Sequence, residues 1–285
     1  MPASHGGASM SVSGAGQRPT RVRLAHVEWV QQRMTPRDWA ILETVNRLRA
    51  VDGLQLERLH FAELSDASRP VVRGRVLRRL LDWRVLATLP RRVGGAGYGS
   101  TARVLGLDST GVRLLTARLN ARTGTAARVR FPGTPGERTV RHILAVAELY
   151  VQLTEQARRR GASVANFEAE PAAWWPNGLG GWLKPDAYVV LAAGDVRDHY
   201  WCEVDLATEN IPTLKRKALT YLEFWQRGET GPEQITPRVV FSVPDKDRAA
   251  AVSSMLAHLP HPASELFLVS TSESTAHHLI QSLYE

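Results

Sequence analysis

Only one cysteine, Cys202, occurs in 285 residues. A lone thiol excludes an internal disulfide and a cysteine-built zinc site, and it suits a reducing cytoplasm. No run of about 18 apolar residues is present, which argues against a membrane-spanning helix. The nine histidines show no metal-ligand spacing: His258 and His261 flank a proline-containing loop, and His277 and His278 lie near the C-terminus. The stretch from Met1 to Gln17 is rich in Ser, Gly and Ala without an apolar core, so it does not read as a secretory signal. Residues 1–20 are expected to be a disordered tail. Lysine is missing from the first 130 residues, where all 22 basic side chains are arginine.

What is present is unevenly distributed. The net charge is +8, but residues 1–130 set 22 arginines against 9 acidic residues, a balance of +13, which leaves −5 for residues 131–285. A basic half joined to a mildly acidic one points to a polyanionic partner for the first half. At 44% hydrophobic content the length favours two domains.

In the basic half, Thr35-Pro36 followed by Trp39, Ile41, Leu42, Val45 and Leu48 combines an N-cap, a proline at the first helical position and helical apolar spacing. A second short helix is expected over Leu54–Leu64. A third opens at Ser68-Arg69-Pro70, with Val72, Val76, Leu77, Leu80 and Leu81 as its apolar stripe. Alternating Val85–Leu89, the glycine-rich Gly94–Gly99 and a returning strand Ala102–Leu107 predict a hairpin, and Asp108 starts a further helix. Residues 21–122 therefore read as a winged helix-turn-helix, in which the third helix meets the DNA major groove and the wing touches backbone. Arg69, Arg73, Arg75, Arg78 and Arg79 on that helix, with Arg91, Arg92 and Arg103 on the wing, are the candidate DNA contacts. Residues 123–138 are rich in breakers and read as a linker.

Residues 139–285 predict a long helix from Thr139, strands over Ser163–Glu170, Trp182–Leu191 and His199–Leu206, and a helix over Pro212–Trp225. Another strand, helix, strand and helix follow, giving a mixed sheet flanked by helices. The overall class is α/β and α+β in two domains. Alternation sets Trp201, Glu203 and Asp205 on one strand face and Tyr200, Cys202 and Val204 on the other. Pairing across a Gly194 turn brings Asp186 toward Glu203. Lys217 and Tyr221, four apart, share the helix stripe of Leu214 and Phe224 and face the sheet. Asp186, Glu203 and Asp205 are candidate ligands for Mg2+ or Mn2+, with Lys217 beside the phosphate. Glu209 is expected to orient Lys217, and Thr208-Glu209 to cap its helix. Glu148 reads as a solvated helix carboxylate, Glu168 and Glu170 are balanced between lining the site and plain exposure, and Trp174 and Trp175 are expected to cover the sheet edge.

Pro185-Asp186, Glu203-Val-Asp205, Thr208-Glu209, Lys217 and Tyr221 carry a resemblance. The C-terminal half resembles the restriction-endonuclease-like superfamily, whose motif is Pro-Asp followed by Asp/Glu-x-Lys. From about residue 35 onward the chain resembles the bacterial replication-relaxation family. The resemblance implies a role in plasmid or mobile-element DNA replication or transfer, in the company of DNA, of replication or transfer proteins and, in one arrangement, of a second copy of the chain. The sequence departs from the motif where lysine is expected two residues after Glu203, because Asp205 stands there. Either Lys217 substitutes from the helix in a metal-dependent endonuclease, or the site is a catalytically silent accessory, toward which the extra negative charge leans. The rivals are a winged-helix transcriptional regulator with a sensing or dimerisation domain, and a protein-interaction scaffold with weak, salt-insensitive DNA binding.

Overall fold

A computed structural model describes residues 22–92, 103–124, 126, 129 and 136–285. The tail 1–20, the glycine-rich wing tip at 94–99 and most of the linker fall outside the described residues. The described residues form a mixed α/β arrangement of helices and three sheets, with no barrel among them.

The basic half begins with α1 (Leu24–Gln31), which the apolar spacing did not announce. Helix α2 (Pro36–Leu48) starts as expected: Thr35 accepts from the Asp38 amide and Asp38 from the Thr35 amide, a reciprocal capping box. After β1 (Val51–Asp52), Asp52 caps α3 (Gly53–His60). The expected Leu54–Leu64 helix thus ends at His60, with Phe61 leaving the helical region at φ −134°. Helix α4 (Arg69–Asp82) buries Val76, Leu77 and Leu80. Strands β2 (Leu86–Arg92) and β3 (Arg103–Leu107) pair antiparallel and β1 adds to β3, so the sheet order is β1-β3-β2. Asp108 caps α5 (Ser109–Thr123). At Gly111 a Cβ would lie 2.3 Å from the Val85 carbonyl oxygen, so α5 packs on the chain at that point only because glycine has no side chain.

The second half opens with α6 (Glu137–Arg160), whose last turn is closed by Gly161 at φ +71°. It continues with β4 (Ser163–Ala169), β5 (Trp175–Pro176), β6 (Trp182–Leu183), β7 (Ala187–Ala193), β8 (Val196–Val204), α7 (Ile211–Gln226), β9 (Arg238–Val243), α8 (Lys246–Ala257), α9 (Ala263–Leu266), β10 (Phe267–Thr271) and α10 (Thr275–Gln281). The main sheet has the order β10-β9-β8-β7-β4, with β8, β9 and β10 parallel and β7 antiparallel to both neighbours. The single strand expected over Trp182–Leu191 is divided. Pro185 lacks the N–H a ladder needs, so Trp182–Leu183 pairs instead with Trp175–Pro176 as a separate ribbon, and the main strand restarts at Ala187.

Alternation in β8 holds as read. Tyr200, Cys202 and Val204 join the large core, while Trp201 enters the other, with Leu214, Tyr221 and Phe224 from α7. The large core runs from Val22 to Leu283 and draws on both halves of the chain. Polar contacts reinforce the junction: Arg58 on α3 grips Glu148 (2.6 Å) and Glu155 (2.6 Å) on α6, and Gln55 donates to the Leu144 carbonyl (3.0 Å). Glu148 is accordingly a partner of the neighbouring helix and not a solvated carboxylate.

Candidate functional site

The β7–β8 hairpin sets the site. Ala187 pairs with Cys202, and the Asp186 amide donates to the Cys202 carbonyl (3.0 Å), which carries Asp186 to the level of Glu203. Both lie at the strand ends where Pro185 interrupts the ladder. Asp186, Glu203, Asp205, Glu209 and Lys217 all line one cavity of about 260 Å³, together with Arg138 and His142 from α6 and Glu170 beyond β4. Lys184 stays outside it, its ammonium lying 4.8 Å from the Trp174 ring centroid.

Glu203 is the most deeply held group, 3% exposed. Its Oε1 accepts from the Tyr221 hydroxyl (2.6 Å) and its Oε2 from Lys217 Nζ (2.9 Å). Helical spacing makes this pairing, since residues four apart on α7 present both donors to one strand position. Burial and then the Asp186 charge push the Glu203 carboxyl up to about 7, against the pull of Lys217 and Tyr221. Burial also opposes the charge on Lys217, but Glu203 and Asp186 outweigh it and hold its pKa above the ordinary value. Both pKa values rise, because burial outweighs the cation for the almost fully enclosed glutamate, whereas the two carboxylates outweigh burial for the lysine, which is 36% exposed. Burial raises the Tyr221 phenol well above its usual range, so it is a neutral donor.

Asp186 Oδ2 accepts from the Val204 amide (2.7 Å), and its Oδ1 lies 2.8 Å from His142 Nε2. That contact favours the protonated imidazole and raises the His142 pKa despite burial. Asp205 turns elsewhere. Its Oδ2 accepts from Arg248 Nε (2.6 Å) on α8 and its Oδ1 from the Ala207 amide (2.9 Å). Arg248 also donates to the Glu209 carbonyl (2.6 Å), tying the β8–α7 loop to α8.

Glu209 comes within 3.5 Å of Lys217 Nζ, an ion-pair distance consistent with orienting it. It does not cap the helix: Asn210 does, accepting from the Thr213 amide. Glu170 lines the cavity and pairs with Arg49 of the basic half (3.0 Å), whereas Glu168 is not among the lining residues. Among the described residues no group of three or more His, Cys, Asp and Glu is arranged to hold a metal ion. A two-carboxylate arrangement remains, and a magnesium ion takes one or two carboxylates with its waters. Asp186 and Glu203 offer that donor set, and Asp205 is engaged by Arg248. His142, Arg138 and Arg248 were missed in the sequence. A signal existed for the first two, which stand four apart on one helix.

The arginines of α4 divide. Arg79 Nη2 meets both oxygens of fully buried Asp38 (2.6 and 2.7 Å), Arg73 pairs with Glu57 (2.7 Å), and Arg69 meets Asp66 (3.2 Å) and the Leu64 carbonyl (3.0 Å). Arg75 and Arg78 are exposed around Gly74 and have no ion-pair partner among the described residues. Arg103 is also exposed. The side chains of Arg91 and Arg92 fall outside the description. Arg79 also stands over Trp83, 5.1 Å from its ring centroid.

The replication-relaxation family model matches residues 42–239, more than two thirds of the chain. The chain belongs to the replication-relaxation family. The match extends from α2 into β9 and so contains Asp186, Glu203, Asp205 and Lys217, but neither Arg248 nor the strand–helix pair that completes the sheet. No curated protein and no solved structure matches the chain. No helix among the described residues is long and apolar enough to cross a membrane.

Proposed function

We propose that this replication-relaxation protein binds DNA during replication or transfer of a plasmid or other mobile element, and that the Asp186–Glu203–Lys217 pocket is a nuclease-like site acting on a phosphodiester. The observation that carries this reading is the 2.9 Å contact between Lys217 Nζ and Glu203. The lysine missing two residues after Glu203 is thereby supplied from α7, and the acidic pair regains its cation. The helix order α2, α3, α4, then the β2–β3 hairpin and α5, supports a winged-helix reader. The run α6-β4-β7-β8-α7-β9 supports a restriction-endonuclease-like unit. Of the described candidate arginines on α4 and the hairpin, Arg75, Arg78 and Arg103 are free to meet DNA, and Arg69, Arg73 and Arg79 act mainly within the fold.

In this reading Asp186 and Glu203 would hold Mg2+ or Mn2+, which when bound polarises phosphate oxygens and activates water. Lys217 faces the same cavity and offsets charge that develops on the phosphate. Tyr221 holds Glu203 in place as a neutral donor, and His142 positions Asp186.

A second reading, the silent accessory, is favoured by one observation. Every carboxylate oxygen of Asp186, Glu203 and Asp205 already accepts from a protein donor: His142, the Val204 amide, Tyr221, Lys217, the Ala207 amide and Arg248. A plasmid-nicking assay with magnesium or manganese separates the two. Nicking by the wild type, lost in both Asp186→Ala and Lys217→Ala, supports the enzyme. Intact DNA binding with no cleavage of any DNA form rejects it and leaves the accessory.

A further inference from the structure

Charge matching within the cavity singles out one side chain. Lys217 is matched by Glu203 and Glu209, Asp186 by His142, Asp205 by Arg248 and Glu170 by Arg49. Arg138 is the exception among the described lining residues. It is exposed on the first turn of α6, and its guanidinium donates only to the neutral hydroxyl of Thr208 (3.2 Å) on the loop after β8. It therefore spans the mouth from α6 to the β8–α7 loop with its charge uncompensated. His142 stands one helical turn further along the same face, above Asp186.

We infer that Arg138 is the residue through which this pocket grips a backbone phosphate of DNA. A guanidinium offers a planar fork that matches two phosphate oxygens, and exchanging one hydroxyl contact for an anion costs it little. With Lys217 on the α7 wall and Arg138 on the α6 wall, the phosphate is held from two sides above the carboxylate floor. The inference rests on the proposal that the pocket receives DNA, but not on whether it cuts. A silent accessory would use Arg138 in the same way.

The test is the salt dependence of binding to fluorescein-labelled duplex and single-stranded DNA, measured by anisotropy in EDTA so that no cleavage intervenes. Losing one phosphate contact lowers the slope of log K against log salt by about 0.9 on duplex and about 0.7 on single strands. Arg138→Ala and Arg138→Gln are expected to show that drop with an unchanged unfolding midpoint. Arg141→Ala is the control, since Arg141 is paired with Glu137 and does not line the cavity. A wild-type slope in both Arg138 variants overturns the inference, even where Asp186→Ala abolishes nicking. A reduced slope in a protein that never nicks supports it while rejecting the enzyme. Wild-type protein that binds neither DNA form overturns both.

Discussion

Two arginines four apart on α4 should behave as opposites. Arg79→Ala removes the only ion-pair partner of Asp38 among the described residues, and Asp38 is a carboxylate with 0% exposure that also closes the capping box of α2. Removing one member of a buried pair costs about 3–5 kcal/mol. The arginine side is 35% exposed and Asp38 keeps the Thr35 amide at 2.9 Å, so the lower end applies. Loss of the contact with Trp83 adds about 0.5 kcal/mol. A total near ~3.5 kcal/mol lowers the unfolding midpoint by roughly 7–10 °C at about 2–3 °C per kcal/mol for a chain of this size. Arg75→Ala, at an exposed unpaired position, should change stability by less than about 0.5 kcal/mol. It should instead reduce the salt slope of duplex binding by about 0.9. Calorimetry and anisotropy on both variants check the pair. Arg79→Ala with an unchanged midpoint and abolished DNA binding would refute the division of the α4 arginines argued from their partners.

Other consequences are as direct. Arg248→Ala strands Asp205, 7% exposed, and should cost about 2–3 kcal/mol by denaturant unfolding; Arg248→Ala combined with Asp205→Asn should recover part of that loss. Gly111→Ala drives a Cβ against the Val85 carbonyl at 2.3 Å, so a loss of about 2 kcal/mol or more is expected; a neutral substitution would show that the α5 contact yields. His60, 2.9 Å from the Thr44 hydroxyl, has its pKa lowered to about 4 by burial and then by the charges of Arg158 and Arg37. Its folded pKa lies below the unfolded one, so its contribution is present above about pH 6.5 and is lost as pH falls toward 4, up to about 3 kcal/mol. His60→Gln should flatten the stability slope between pH 7 and 5 relative to wild type, and an unchanged slope would show that the histidine is free to protonate in the fold.

Much of the fold was legible because its signals are local. Thr35-Pro36 and Asp108 announce helix starts by chemistry that acts within three residues, and the two faces of β8 follow from a period of two. Local signals also misled. Asn210 and not Thr208-Glu209 caps α7, because the cap must stand directly before the first helical turn, and Pro185 divides a run that composition alone reads as one strand. The convergence of Asp186, Glu203 and Lys217 was legible for the same reason, since one hairpin and one helix stripe bring them together.

Which charges are free was not legible, because partners lie far apart in the chain. Asp38 reaches Arg79 across 41 residues and Asp205 reaches Arg248 across 43. By itself the sequence determined most of the elements, the faces of β8 and α7, and the basic character of the first half. Only the tertiary structure decided that Asp205 belongs to Arg248, that Glu203 is compensated from α7, and that Arg138 and Arg75 keep their charge unmatched. A side chain's identity is written locally, but whether its charge is already compensated depends on packing between distant elements.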